Sequence, residues 1–216
     1  PPITPIPSIH LLCMYKKYIT AFECARETYS LPPSIKITYH ESSLAALEPG
    51  VSFDAIVSPA NSFARMDGAF DDALSRVFSP QADYLGLTSV TQAAVYKEYR
   101  GFLPPGASLL VDMEGEEGKR VGLRKNDWGC RYLALCPSMK VPENVNWDRE
   151  VVFESVWTLL AAIERHNRRM GEEGGEVEGK VIESVLMTPL ATGVGLVSPE
   201  KWAAQTVLAI RQFVEA

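Results

Sequence analysis

Two stretches of this 216-residue chain gather residues able to hold an anion or a sugar at the spacing of a connecting loop. The first is Ser58-Pro59-Ala60-Asn61-Ser62-Phe63-Ala64-Arg65-Met66-Asp67-Gly68-Ala69-Phe70-Asp71-Asp72. The second is Thr188-Pro189-Leu190-Ala191-Thr192-Gly193-Val194-Gly195-Leu196-Val197-Ser198. Each follows a short apolar run and precedes a helical pattern. In α/β sheets the loops at the carboxyl ends of strands line the ligand crevice, and the next helix offers unpaired N–H groups at a positive dipole end. Two such loops side by side would cradle a phosphate or diphosphate through backbone amides. The net charge of −6 does not oppose this, because the positive potential would come from peptide dipoles rather than from Lys or Arg.

The elements that would position these loops alternate between strand-like and helical periodicity, the mark of a layered α/β domain. Ile9 to Tyr15 reads as a strand, and Tyr18, Phe22, Ala25 and Tyr29 mark a helix ended by Pro32-Pro33. Ser34 to Tyr39 closes a strand–helix–strand part over 8–50. Phe53 to Val57 is a short strand before a helix with apolar Phe70, Leu74, Val77 and Phe78; residues 88–100 form another helix. Leu109 to Met113 and Tyr132 to Cys136 predict an antiparallel excursion. Asp148 caps a helix reaching about His166, residues 171–180 (GEEGGEVEGK) read as a flexible acidic loop, Val181 to Met187 as a strand, and Ser198-Pro199-Glu200 as the start of the last helix.

Composition narrows the function classes. At 46% hydrophobic and 22% charged residues the chain has a globular composition with no run of basic residues, which argues against direct nucleic-acid binding. No stretch has the roughly 20 apolar residues of a membrane helix. Cys13, Cys24, Cys130 and Cys136 form no C-x-x-C pair and read as buried free thiols of a reducing compartment, cytoplasmic or nuclear. His10, His40 and His166 have no metal-ligand spacing and no nucleophile motif beside them, so neither metal nor cofactor is expected. Trp128, Trp147, Trp157 and Trp202 are expected as packing residues.

The segment Phe53-Asp54-Ala55-Ile56-Val57-Ser58-Pro59-Ala60-Asn61-Ser62 resembles the macro-domain signature DAIVNAAN. Ala191-Thr192-Gly193-Val194-Gly195 resembles that family's second, phosphate-binding loop. The resemblance follows the order of elements from about residue 35 to the C-terminus, with Ser-Pro-Ala-Asn marking a divergent branch. It implies a three-layer α/β/α sandwich with a mixed central sheet, one domain over 1–216, and ADP-ribose as the ligand class. Some members of the family hydrolyse ADP-ribosyl groups from proteins or nucleic acids, O-acetyl-ADP-ribose, or ADP-ribose 1''-phosphate.

Carried over by position, the resemblance implies that Asn61 contacts the distal ribose and that Asp71 activates water beside it. In residue terms the flanking pattern favours the ribose contact for Asn61 over a turn that bonds its own backbone, and Asp71 with Asp72 equally suits first-turn acids of a helix. Ser58, Ala60, Gly68, Ala69 and Phe70 would line the first loop, and Ala191, Thr192, Gly193, Val194, Gly195 and Leu196 the second. Glu41 stands where the family carries an adenine-contacting acid. Three features depart from the pattern. Ser58 replaces an Asn, Met66-Asp67-Gly68-Ala69 replaces consecutive glycines, and Gly195 replaces an aromatic residue. The implied ligand is ADP-ribose or a related nucleotide, free or on an ADP-ribosylated protein. Three roles follow: a hydrolase or phosphatase, a non-catalytic reader, or a scaffold with a degenerate pocket.

Overall fold

Short apolar runs bounded by Pro, Gly and polar residues become strands, and the longer 3.6-periodic runs become helices. The computed structural model describes residues 6–148, 150–172 and 179–216. Its strands are β1 (Ser8–Leu12), β2 (Ile37–His40), β3 (Ala55–Ser58), β4 (Leu109–Asp112), β5 (Tyr132–Leu135) and β6 (Ser184–Met187). Its helices are α1 (Lys16–Thr28), α2 (Phe70–Phe78), α3 (Gly86–Tyr99), α4 (Glu116–Val121), α5 (Val151–Glu172) and α6 (Pro199–Glu215). One sheet runs β2-β1-β6-β3-β5-β4, parallel throughout except for the edge strand β4, which lies antiparallel to β5 with Leu109 opposite Leu135.

Alternation along the strands divides the core between the two faces. Ile9, Leu11, Val57, Val185 and Met187 face α1, α5 and α6, where Trp202 and Phe22 pack with ring centroids 5.8 Å apart. Leu12, Ile56, Leu133, Leu135 and Leu186 face α2 and α3 through Leu74, Phe78, Leu87 and Val90. Both faces of the sheet are thus covered, which is why β3 and β5 are buried at every position. The architecture is the expected α/β/α sandwich with a mixed sheet.

Ser198 caps α6 as expected, its Oγ accepting from Lys201 N at 3.2 Å. At α5 the first helical bond is accepted by the Glu150 carbonyl, so Asp148 stands two residues ahead of the cap; its Oδ1 accepts from the amides of Glu150 (2.9 Å) and Val151 (3.1 Å), and Gln205 Oε1 from α6 accepts from Val152 N (3.1 Å) and Phe153 N (3.2 Å). Other boundaries move. β1 ends at Leu12, leaving Met14 and Tyr15 exposed on the way into α1, because no neighbouring strand continues to pair with them. α5 continues six residues beyond His166, since Asn167 brackets Ile182 by accepting from its N–H (2.8 Å) and donating to its carbonyl (2.9 Å). His166 is therefore not a last-turn residue; its Nε2 meets the Lys180 carbonyl at 2.8 Å. Gly171 and Glu172 of the proposed acidic loop belong to that helix, and residues 173–178 of the loop lie outside the described residues. β6 begins only at Ser184, with Val181 exposed before it. Cys24 lies on the outer side of α1, exposed, while Cys13, Cys130 and Cys136 are buried free thiols.

The pairing between β3 and β6 governs the site. It spans only Ala55 with Val185 and Ile56 with Leu186. At the amino ends the Asp54 carboxylate clamps the two strands: Oδ2 accepts from Glu183 N, Ser184 N and Ser184 Oγ at 2.8–2.9 Å, and Oδ1 meets Lys180 Nζ at 2.5 Å. Burial pushes the Asp54 carboxyl up, but the Lys180 and Ser184 bonds outweigh it and hold it below the ordinary range. Toward the carboxyl ends the β3–β6 register stops at Ile56 with Leu186, while β3 stays paired with β5 as far as Ser58, and the two loops leave the sheet there from adjacent strands.

Candidate functional site

In the β3–α2 loop, Asn61 is committed to the turn: its Oδ1 accepts from Phe63 N (3.0 Å) and its Nδ2 donates to the Arg65 carbonyl (3.1 Å). This is the local backbone-bonding geometry that Asn favours in loops. Ser58, buried at the end of β3, donates through Oγ to Asp71 Oδ1 at 2.6 Å. Asp71 is itself only 6% exposed. Burial pushes its carboxyl up to about 7, against the lowering Ser58 bond and with a further upward push from Asp67. Asp72, one residue on, is the solvent-side acid of the first turn; it pairs with Arg76 at 2.8 Å and accepts from Tyr84 OH at 2.6 Å.

Met66 and Asp67 take opposite directions. Met66 is fully buried beneath Ser58, with Sδ 3.7 Å from Ser58 Oγ, so it does not narrow the loop from above. Asp67 is exposed and its carboxylate meets Arg65 Nε at 2.5 Å, which offsets its charge beside an anion. The loop is held from behind by residues that sequence reasoning missed. Ser75 Oγ donates to the Met66 carbonyl (2.5 Å), Thr88 Oγ1 accepts from Met66 N (3.1 Å), Thr91 Oγ1 donates to the Ala64 carbonyl (3.1 Å), and Gln92 Nε2 donates to the Phe63 carbonyl (3.1 Å). For the three on α3 the sequence signal is a run of Thr and Gln on a helix face that otherwise reads as apolar; Ser75, on α2, has none.

The β6–α6 loop is built differently. Leu196 N donates to the Gly193 carbonyl and Val197 N to the Ala191 carbonyl, both at 3.1 Å, and Thr192 Oγ1 donates to the Pro189 carbonyl at 2.9 Å. A third segment, the β5–α5 connection, ties the two loops together. Ser62 N donates to the Met139 carbonyl at 3.0 Å, and Val145 N donates to the Gly195 carbonyl at 3.1 Å. Ser138 in that segment has a buried hydroxyl without a hydrogen-bond partner among the described residues.

Backbone conformation singles out both loops. Among the described residues six non-glycines have positive φ; Ser30 and Arg100 terminate helices, and the other four are Ala64 (φ 50°), Ala69 (49°), Ala191 (60°) and Leu196 (56°). Ala69, at φ 49° and ψ −118°, occupies a region that suits glycine. The glycines of the loops hold ordinary φ instead. A Cβ at Gly68 or Gly193 would meet nothing within 4 Å, whereas one at Gly195 would lie 2.4 Å from the Ala191 carbonyl oxygen and 3.0 Å from Val145 Cγ2. Gly195 is therefore fixed by packing, and no aromatic side chain fits at that position.

Among the described residues, the amides of Asp67, Gly68, Ala69 and Phe70 in one loop and of Thr192, Gly193, Val194 and Gly195 in the other have no hydrogen-bond acceptor. The carboxyl ends of adjacent parallel strands thus present two rows of unpaired N–H groups, the arrangement that binds phosphate oxygens. Glu41 is exposed beyond β2, two strands from β6 on the far side of β1, close enough to the Cys13 thiol to join burial in pushing it up to about 12. No group of three or more His, Cys, Asp or Glu among the described residues could hold a metal ion.

No protein-family model matches this sequence, and no curated protein does. The fold is that of solved macrodomains. A point mutant of the Oceanobacillus iheyensis macrodomain with ADPR aligns at 16% identity over 76% of this chain and 72% of that one, with a TM-score of 0.52. The same macrodomain with ADP aligns at 16% identity over 76% and 70%, TM-score 0.53, and with MES bound at 16% identity over 76% and 71%, TM-score 0.53. The macro-domain fold implied by the signature is therefore present.

Proposed function

Taking the macro-domain fold as premise, we propose that this chain binds ADP-ribose or a closely related nucleotide, free or carried on an ADP-ribosylated protein, and reads it without hydrolysing it. The observation that carries the proposal is the pair of unpaired amide rows, 67–70 and 192–195, on adjacent strand ends. A diphosphate between them would receive main-chain hydrogen bonds on both sides, and charge-assisted bonds of this kind are about twice as strong as neutral ones. Ligands bound to the O. iheyensis macrodomain, ADPR and ADP, support the ligand class. Reading without hydrolysis is favoured by the commitments of the two polar candidates: Asp71 is buried against Ser58, and Asn61 is bonded to its own loop. The free buried thiols support a reducing compartment, cytoplasmic or nuclear.

The test is calorimetric titration with ADP-ribose, with AMP and ADP as comparison ligands. Micromolar affinity for ADP-ribose, about −8 kcal/mol, with weaker binding of AMP is expected. Gly193→Val, whose added carbons extend into open space, is expected to fold normally and lose binding. Absence of ADP-ribose binding by the parent protein refutes the proposal. Release of ADP-ribosyl groups by the parent protein that disappears in Asp71→Ala replaces the reader with a hydrolase.

A further inference from the structure

The β6–α6 loop has no room for a large side chain at Gly195, yet the segment bonded to it from the β5–α5 connection carries an exposed aromatic ring. Val145 N donates to the Gly195 carbonyl at 3.1 Å, and Val145 Cγ2 occupies the space a Cβ at Gly195 would need. Two residues further along this stapled segment stands Trp147, which the sequence assigns to packing and which the structure leaves 73% exposed. Trp202 is buried, Trp128 stacks on Phe53 with centroids 5.6 Å apart, and Trp157 stacks on Phe153 at 5.9 Å; Trp147 has no ring partner among the described residues.

Its surroundings hold it in place. The indole Nε1–H donates to the Asn144 carbonyl at 2.9 Å, and Asn146 N donates to Asn144 Oδ1 at 2.8 Å. Lys201 Nζ, from the first turn of α6, donates to the carbonyls on either side, Asn146 at 3.1 Å and Asp148 at 2.5 Å. Leaving the largest side chain in water forgoes burial free energy, and pinning its backbone and its polar edge restricts its motion further. A ring held in this way, with its N–H already bonded, presents a π-face for another ring. The Val145–Gly195 bond holds this segment against the β6–α6 loop, whose amides at 192–195 are unpaired and whose Val194 and Leu196, on either side of Gly195, are exposed.

We propose that Trp147 is a stacking wall for the ring attached to the diphosphate held by the β6–α6 loop, so that a nucleotide ligand is read by amides on its phosphates and by an indole on its sugar or base. This rests on the binding reading above. The proposal assigns ligand recognition to the β5–α5 segment, outside both loops that carry the macro-domain signature.

The experiment titrates the parent protein, Trp147→Ala and Trp147→Phe with ADP-ribose and with ADP, by calorimetry and by tryptophan emission. Trp147→Ala is expected to bind about tenfold or more weakly, in the range that loss of one stacked ring produces, while Trp147→Phe stays within about threefold of the parent. Melting temperatures of all three should agree, because the side chain is exposed. Emission quenching on ligand addition should be present in the parent and absent in Trp147→Phe. A loss confined to ADP-ribose supports the proposal with the terminal ribose as the stacked ring; a loss shared with ADP supports it with the nucleoside. If the parent binds ADP-ribose and Trp147→Ala binds equally well, the stacking wall is overturned while the binding reading stands. If the parent binds neither ligand, the binding reading falls and takes this inference with it.

Discussion

The β3–α2 loop receives side-chain bonds from Ser75, Thr88, Thr91 and Gln92, and has Asp71 folded beneath it onto Ser58; the β6–α6 loop holds its shape with main-chain bonds, one threonine hydroxyl and the fit of Gly195. Both loops end in the same chemistry, a row of unpaired amides. They reach it by different means. The first depends on residues of α3 more than 20 positions downstream, so its shape is distributed over two elements. The second depends on one position without a side chain. Preorganising a loop by buried polar bonds makes it sensitive to loss of any buried partner, whereas preorganising it by close backbone approach concentrates the sensitivity at the point of contact.

The contrast breaks most sharply at Gly195. Gly195→Ala places a Cβ against the Ala191 carbonyl oxygen, a contact that no side-chain rotation relieves, and about 3 kcal/mol of stability is expected to go with it. Thermal denaturation should register a fall of roughly 6–12 °C for a chain of this size. A melting temperature equal to the parent's would show that the loop is free to rearrange and that backbone fit does not define it.

Asp71 gives the next effect, through pH. Its folded-state carboxyl is pushed up to about 7, against an ordinary unfolded value near 3.9, so between these values the unfolded chain has lost the proton and the folded one retains it. The unfolded state then binds fewer protons, and stability falls as pH rises from the ordinary carboxylate range to about 7, levelling off above. Asp71→Asn keeps an acceptor for Ser58 Oγ and removes the titration. Its stability relative to the parent should rise by roughly 2 kcal/mol between pH 5 and pH 8 in denaturant titrations. Parallel pH profiles for the two proteins would show that the carboxylate is not confined under the loop.

Ala69→Gly is the smallest of the three. At φ 49° and ψ −118° the alanine is strained, by an amount of order 1–2 kcal/mol, and glycine relieves this while adding unfolded-chain entropy of about 0.5–1 kcal/mol. A net gain of up to about 1 kcal/mol, a rise of some 2–4 °C, is the expected outcome. A decrease would mean that the surrounding bonds already absorb the conformation at no cost.

The strand–helix alternation, the cap at Ser198, the Asp148 turn leading into α5 and the antiparallel β4–β5 pair are readable from the chain, because periodicity and turn chemistry are local properties; that Gln205 of α6 holds the first free amides of α5 is not. The end of α5 was not, since it depends on Asn167 finding Ile182 across the acidic loop. In the site the two loops were legible as loops, and their conformations were not. Counting glycines suggested that Met66, Asp67 and Ala69 all replace residues needing glycine's freedom. Only Ala69 adopts such a conformation, and positive φ falls on Ala64, Ala191 and Leu196 as well. The inward turn of Met66 depends on Ser75 and Thr88, partners that no local pattern reveals. Apolar character misled at Met14 and Tyr15, which are exposed just past the end of β1 where the sheet stops offering neighbours, and at Trp147, which is exposed in the segment leading into α5.

Unpaired main-chain amides have one further consequence, for inheritance. An N–H group belongs to every residue except proline, so no ordinary substitution deletes it. A site made of such groups tolerates turnover of nearly all its side chains, provided the backbone path is kept, and it can persist while the words of its signature are rewritten. Selection on such groups acts through the residues that steer the chain, such as Ser75, Thr88, Thr91 and Gly195, rather than through the residues that supply the amides.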